Sequence, residues 1–330
     1  MDAERFAKGT ERLVDPISVG SIHFLQQFAG LLPRGVQRAM VERSSDASPY
    51  MGFVVEPYAF FLFFEVADRA RAAALLPEGF RLASARVFDG DEESCTAVMS
   101  FFRVHTSAFW GARAEFYLMA EDERTGLLSW VIADYLSDTL SFDPAHGLRA
   151  PSAPGAVVAT TGDGRVLVDM ADAQSGARVA FSSSLERARM RALDRRLWVE
   201  GNLSVGYGKE LAAGRAEVFS LTFLPEEMSR ALDVPVAGLQ AEALAWHADV
   251  LVPEPVKLAC FPFAQHLLSD SPGAASGYAS ERELADAAHA VDFDALKPFS
   301  TSSVRTGMIA GTALTAAAIA ALALALVLKR

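Results

Sequence analysis

Residues 59–64 read AFFLFF within the longer run MGFVVEPYAFFLFFEV (51–66). Aromatic and β-branched residues fit a strand, and a strand that is apolar at every position must be covered on both faces. Two readings of the run stand side by side. It is plain core, or Phe60, Phe61, Phe63 and Phe64 line an apolar cavity in a barrel wide enough for a ligand.

The flanking pattern continues as β structure with few helices. A short helix is expected over 67–76, ended by Pro77. Strands are expected over 84–88, 96–105 and 114–120, with EDERTG (121–126) as a turn. Leu127, Leu128, Val131, Tyr135 and Leu136 recur at helical spacing, which predicts a helix there with a break at Asp143-Pro144. Further strands are expected over 156–160, 165–170, 177–184, 197–207 and 216–223. The fold class expected is mainly β with some α (α+β), built on a large antiparallel sheet or barrel.

Composition divides the rest. Residues 1–50 form a preface in which Ile17, Val19, Ile22, Leu25, Phe28 and Leu32 roughly follow helical spacing. Such a segment packs on its own domain or lies on a membrane. Residues 51–270 hold the β domain. Residues 271–305, opening with small and polar residues, read as a flexible tether, and Ser280-x-x-Glu283 is a capping box for a short helix within it. From Gly307 to Leu328 there is no charge and no proline. As a helix this run is about 33 Å long, enough for a hydrocarbon core of about 30 Å. The expectation is a single-pass anchor over 306–330; the alternative is a buried Ala-rich helix.

The N-terminus MDAERFAKGTERL has no apolar h-region, so the globular part is expected on the cytosolic side. A net charge of −11 argues against a nucleic-acid partner. Cys95 and Cys260 are too few for a disulfide framework and fit a reducing compartment. The oligomeric state is not legible.

No CxxC pair, HExxH, GxSxG or P-loop is present, and the six histidines show no metal spacing, so no metal and no cofactor are expected. GYGKEL (206–211) lacks the Walker spacing and reads as a turn.

In serial order, FFEVADRARAAALLPEGFRL (63–82), VHTSAFWG (104–111), EFYLMAEDERTGLLSW (115–130) and TLSFDPAHG (139–147) resemble the acetoacetate decarboxylase superfamily, and its DUF2071-like branch is similar too. ARVAFSSS (177–184) and PEPVKL (253–258) extend the likeness to about residue 270. The resemblance implies a closed or cone-like antiparallel β-barrel around an internal pocket. It also implies a Schiff-base lysine just after a proline, whose amine is made available by desolvation and a neighbouring cation. Here Ala145 stands at that position and His146 at the neighbouring lysine, and no lysine occurs between 113 and 196. An alanine methyl cannot condense with a carbonyl, so the family's decarboxylation route is not expected.

By the same resemblance the pocket arginine falls near Tyr58 and the pocket carboxylates near Ser100 and Glu115. The expected pocket residues are therefore Tyr58, Phe60, Ser100, Glu115, Ala145 and His146. Glu115 shares a strand face with Tyr117 and Met119. It is the pocket's polar handle or an ordinary paired glutamate. His146 is an acid or base, or a satisfied loop residue. The functional expectation is a membrane-tethered domain that binds an apolar or carboxylated small molecule, such as a lipid or its precursor. One alternative is a lyase, hydratase or isomerase acting on a keto acid through Glu115 and His146. Another is a scaffold without a ligand, with Gly307-x-x-x-Gly311 as a helix contact in the membrane.

Overall fold

The computed structural model describes residues 2–15, 19–20, 33–37, 39, 50–107, 109–143, 145–212, 218–270 and 277–297, with positions 313, 317 and 319. Its strands are β1 (Tyr50–Val55), β2 (Ala59–Val66), β3 (Phe80–Leu82), β4 (Thr96–Thr106), β5 (Trp110–Asp122), β6 (Leu128–Ser137), β7 (Ser141–Asp143), β8 (Gly147–Arg149), β9 (Val157–Thr160) and β10 (Arg165–Ala171). They continue with β11 (Arg178–Ser184), β12 (Arg189–Ala192), β13 (Val205–Tyr207), β14 (Val218–Phe219), β15 (Leu221–Thr222), β16 (Arg230–Val234), β17 (Leu239–Leu244), β18 (Leu251–Phe261) and β19 (Gln265–Asp270). Its helices include α1 (Ala3–Leu13), α2 (Arg69–Leu75), α3 (Arg195–Trp198) and α4 (Glu281–Ala290).

A 13-stranded sheet runs β12-β16-β18-β2-β4-β5-β6-β13-β14, with β1, β19 and β15 continuing from β4 and β3 beside β5. A 4-stranded sheet, β17-β11-β10-β9, lies apart from it, and β7–β8 form a hairpin. The apolar β2 sits between β18 and β4, where both its faces are covered. Its alternation sends Phe60, Leu62 and Phe64 into the core shared with Val166, Val168 and Phe181 of the second sheet. Phe61 and Phe63 point the other way, into a cluster with Trp130 and Trp198. The four phenylalanines therefore cannot line one cavity, because period-2 geometry divides them between two layers.

The second cluster shows how the main sheet bends. Trp198 of α3 touches Phe261 of β18 at 5.1 Å, Phe61 of β2 at 5.2 Å and Trp130 of β6 at 5.2 Å between ring centroids. In a flat sheet β18 and β6 would stand about 19 Å apart, four steps of about 4.8 Å. One indole reaches both, so the sheet curls around Trp198, and that side is its inner face.

The curl does not complete a barrel. The path ends at β12 and β14, which do not pair. Instead the chain leaves β12 through α3 and reaches β13 beside β6, and Trp198 and Leu197 fill the interior. The closed barrel expected from the sequence is therefore not formed. Nor is the sheet antiparallel throughout, since β13 runs parallel to β6.

Other local expectations also change. The helix expected at 127–136 is β6. Residues 84–88 make isolated bridges at Ala85 and Phe88, and 197–207 begins as α3. Residues 216–223, where described, hold the short strands β14 and β15. The helix expected over 67–76 is α2, capped by the Asp68 carboxylate, which accepts from Ala70 and Arg71 N–H at 3.0 Å. In α4 the capping pattern is present: the Ser280 hydroxyl accepts from Glu283 N–H at 3.2 Å. Within 271–305, α4 and Phe293 pack with Phe6 and Leu13 of α1 and Leu268 of β19. Most of the periodic positions of 17–32 lie outside the described residues, as does nearly all of 306–330. Among the described residues no helix is long and apolar enough to cross a membrane.

Candidate functional site

Register sets a row of side chains across the inner face. Ala259 of β18 opposes Phe61, Phe61 opposes Ser100, Ser100 opposes Glu115, and Glu115 opposes Tyr135. Alternation along β5 adds Arg113 and Tyr117 on either side of Glu115. The last member of the row depends on a bulge. Phe116 pairs with Asp134 but Tyr117 pairs with Ile132, so Ala133 is an extra residue in β6. Trp130 and Ile132 face inward before the bulge, and the shift lets Tyr135 face inward after it. Without the bulge Tyr135 would point to the opposite face.

At the centre, Glu115 accepts from Arg113 Nε and from the Tyr117 hydroxyl, both at short range. The pair is buried, with side-chain exposures of 12% for Arg113 and 9% for Glu115. Arg113 also donates to the Ser141 hydroxyl at 3.3 Å and lies over the Tyr135 ring at 4.1 Å. Tyr135 donates to Asp143 Oδ2 at 3.2 Å. Asp143 is completely buried and is also met by Arg149 at 3.4 Å and His146 Nδ1 at 3.0 Å. Asp143 further accepts from His146 N–H at 2.6 Å.

Burial and the Glu115 charge push the Tyr117 phenol well above its ordinary range. Burial raises Tyr207 too, against the opposing pull of Arg113. Tyr135 is pushed up by burial to about 12. Burial works against the Arg113 charge, yet Glu115 beside it holds the guanidinium above its ordinary value. The phenols therefore stay protonated near neutral pH and act as hydrogen-bond donors.

Two further hydroxyls stand near this centre. The Ser100 hydroxyl is fully buried beside Tyr117, and its hydrogen bond there lowers the phenol's pKa against the larger effects of burial and Glu115. The Tyr207 hydroxyl, from β13, stands within the fields of Arg113, Glu115 and Asp143 and has no hydrogen-bond partner among the described residues. Arg113, Tyr117 and Tyr207 are partly buried.

The residues expected for the pocket divide. Ser100 and Glu115 are neighbours on the inner face. Phe60 packs at 5.7 Å on Phe181 on the opposite face, and Tyr58 belongs to that same core. Tyr58 sits in the β1–β2 turn with φ 70°. Ala145 donates its N–H to the Leu211 carbonyl at 2.9 Å. His146 is half exposed at 49% and, among the described residues, meets the centre through Asp143 and Tyr135. Strand alternation alone could have added Arg113 to Glu115. Tyr135, Tyr207, Asp143 and Arg149 carry no sequence signal of their place here.

Neither Lys209 nor Lys257 lies on the Glu115 row. Lys209 is exposed. Lys257 opposes Phe63 on the inner side, where it pairs with Asp91 at 3.1 Å. Along the row Lys257–Phe63–Val98–Tyr117 it stands three strands from Tyr117. Among the described residues no group of three His, Cys, Asp or Glu side chains could hold a metal ion.

No family model matches the chain, and no curated protein matches it. Among solved structures, the chain is similar to the acetoacetate decarboxylase of Legionella pneumophila, with 14% identity and a TM-score of 0.42. The match covers 71% of this chain and 90% of that one.

Proposed function

We propose that the chain is a non-enzymatic or weakly catalytic binding protein for a small organic molecule, held in the inner-face space beside Arg113, Glu115, Tyr117 and Tyr207. The observation that supports this reading is the cluster of polar side chains gathered on the apolar inner face, with Arg113, Glu115 and Tyr117 joined to one another, Tyr135 beneath the guanidinium and Tyr207 beside them. On this reading the domain is acetoacetate decarboxylase-like and without Schiff-base chemistry, since Ala145 carries no amine and Lys257 is tied to Asp91. The apolar run 307–328 anchors it, so that the domain meets its ligand at a membrane surface.

Native extraction of the purified full-length protein followed by mass spectrometry tests the binding reading. A co-purifying small molecule lost in a Ser100→Leu, Tyr207→Leu variant supports it, and a protein that carries and takes up nothing refutes it. Fractionation of the full chain against a chain ending at residue 306 tests the anchor. An unchanged membrane share after truncation removes that part of the proposal.

Acid–base catalysis on a keto acid through Glu115 and His146 has less support. Tyr135 and Asp143 stand between the two groups, and His146 faces outward. If a substrate is found, turnover that collapses in His146→Ala would restore this alternative.

A further inference from the structure

The preface before β1 and the run that follows α4 join the β domain at one end. Tyr50, where β1 begins, and Leu296 pack on one apolar cluster with Leu13 of α1 and Phe293. Arg12 of α1 donates to the Phe293 carbonyl at 2.8 Å. The β4–β5 turn lies at this same end. The Ser107 hydroxyl there donates to the Leu13 carbonyl at 3.0 Å and accepts from Gly52 N–H of β1 at 3.1 Å.

Just beyond Ser107 stands Trp110, 43% exposed and the one exposed aromatic side chain among the described residues. Its ring is held 4.5 Å from that of His105. Phe109, partly accessible, packs edge-on against Phe53 at 6.2 Å. The charges nearby are matched: Glu56 meets His105 and Arg103, and Arg12 meets Asp294. An indole has an apolar body and a polar N–H at its edge, which suits the boundary between lipid headgroups and acyl chains. With matched charges around it, a zwitterionic lipid surface is the fitting partner.

The tail brings such a surface within reach. Gly307, where the apolar run starts, is ten residues past Lys297. Ten residues span at most about 36 Å, and about 17 Å as a flexible chain. A bilayer holding 307–328 therefore meets the Trp110 end of the domain first. A tether this short gives an effective concentration in the millimolar range, so even a weak contact is populated.

We propose that the β4–β5 turn seats on the lipid surface, with the Trp110 ring at headgroup level and Phe109 beside it, turning this end of the domain toward the membrane. The inference rests on the anchor reading of 307–328 above and adds a second, direct contact.

The test uses the full-length protein reconstituted in phosphatidylcholine vesicles whose acyl chains are either plain or brominated near the headgroup. Vesicle flotation reports the anchor, and tryptophan emission reports the contact. Trp110 is one of four tryptophans, none of them in 307–328, and Trp130, Trp198 and Trp246 are at most 4% exposed. Brominated lipid is expected to quench about a quarter of the emission, the share of one tryptophan in four. Trp110→Phe, which keeps an aromatic ring beside His105, is expected to abolish that quenching while the protein still floats. Floating protein whose emission is the same in both lipids overturns the inference and leaves the anchor standing, whether Trp110 then proves open to acrylamide or covered by another part of the chain. Quenching that persists in Trp110→Phe overturns it likewise. Protein that does not float with the vesicles overturns both.

Discussion

Removing the Glu115 carboxylate tests the electrostatic account of the site most directly. In Glu115→Leu the Arg113 guanidinium loses its partner while still enclosed, and Tyr117 loses the acceptor of its phenol. Breaking a buried ion pair from one side costs about 3–5 kcal/mol. Arg113 keeps its contact with the Tyr135 ring at 4.1 Å and with Ser141 at 3.3 Å, which offsets part of the loss. A cation–π contact of this kind is worth ~0.5–2 kcal/mol, so the net cost expected for the single variant is about 3 kcal/mol. Against a total stability of about 5–15 kcal/mol this shifts the unfolding midpoint visibly. The double variant Arg113→Met, Glu115→Leu removes both charges and fills the same volume with apolar atoms. It should return to within about 1 kcal/mol of wild type, because replacing a whole buried pair is often nearly neutral. Guanidinium unfolding followed by tryptophan fluorescence measures all four corners of the cycle, and Trp130 and Trp198 report from the inner core. A single-variant cost under about 1 kcal/mol, or a double variant costing the sum of the singles, refutes the buried-pair account.

Gly208→Ala places a methyl 2.8 Å from Ala133 Cα and 3.2 Å from the backbone oxygens of Ile132 and Leu75. Backbone cannot yield there, so a loss of about 1–3 kcal/mol is expected in chemical denaturation. Trp198→Ala empties the centre of the inner cluster and should cost about 3–5 kcal/mol, together with loss of the near-ultraviolet aromatic signal. His266 on β19 joins Glu227 at 3.2 Å and Glu11 of α1 at 3.4 Å, and its pKa is raised above 6.5 by the Glu227 hydrogen bond, with burial opposing. A raised folded value means the stabilisation is fully present below the unfolded value of about 6.5 and is lost as pH rises through the higher folded value. Hydrogen exchange of α1 should therefore quicken over that rise in wild type and show no such step in His266→Gln.

Much of the local structure was legible because its causes are local. Asp68 and Pro77 bracket α2, and Ser280 with Glu283 starts α4, since caps act through their own backbone. Glu115 beside Tyr117 follows from alternation within one strand. The 127–136 segment misled for a physical reason. β6 is covered on both faces, so it has no polar stripe, and the extra residue at Ala133 breaks the period of two. Leu128 and Tyr135 face one side and Val131 and Leu136 the other, and read together their spacing of three, four and one imitates a helix.

By itself, then, the chain's order of residues determined a β-rich fold with an interior strand at 59–64, its short capped helices and one half of the ion pair at its centre. It also determined that no amine stands at 145. These follow from chemistry within a few residues. The tertiary structure alone decided that the sheet curls around Trp198 without closing, its end strands β12 and β14 not pairing with each other. It decided that Tyr207, remote in sequence from Glu115, completes the same site through a parallel pairing with β6. It also separated Phe60 and Tyr58 from Ser100, since the two faces of one sheet belong to different cores. Contacts between distant segments carry no periodicity along the chain, and the inner-face site is made of such contacts.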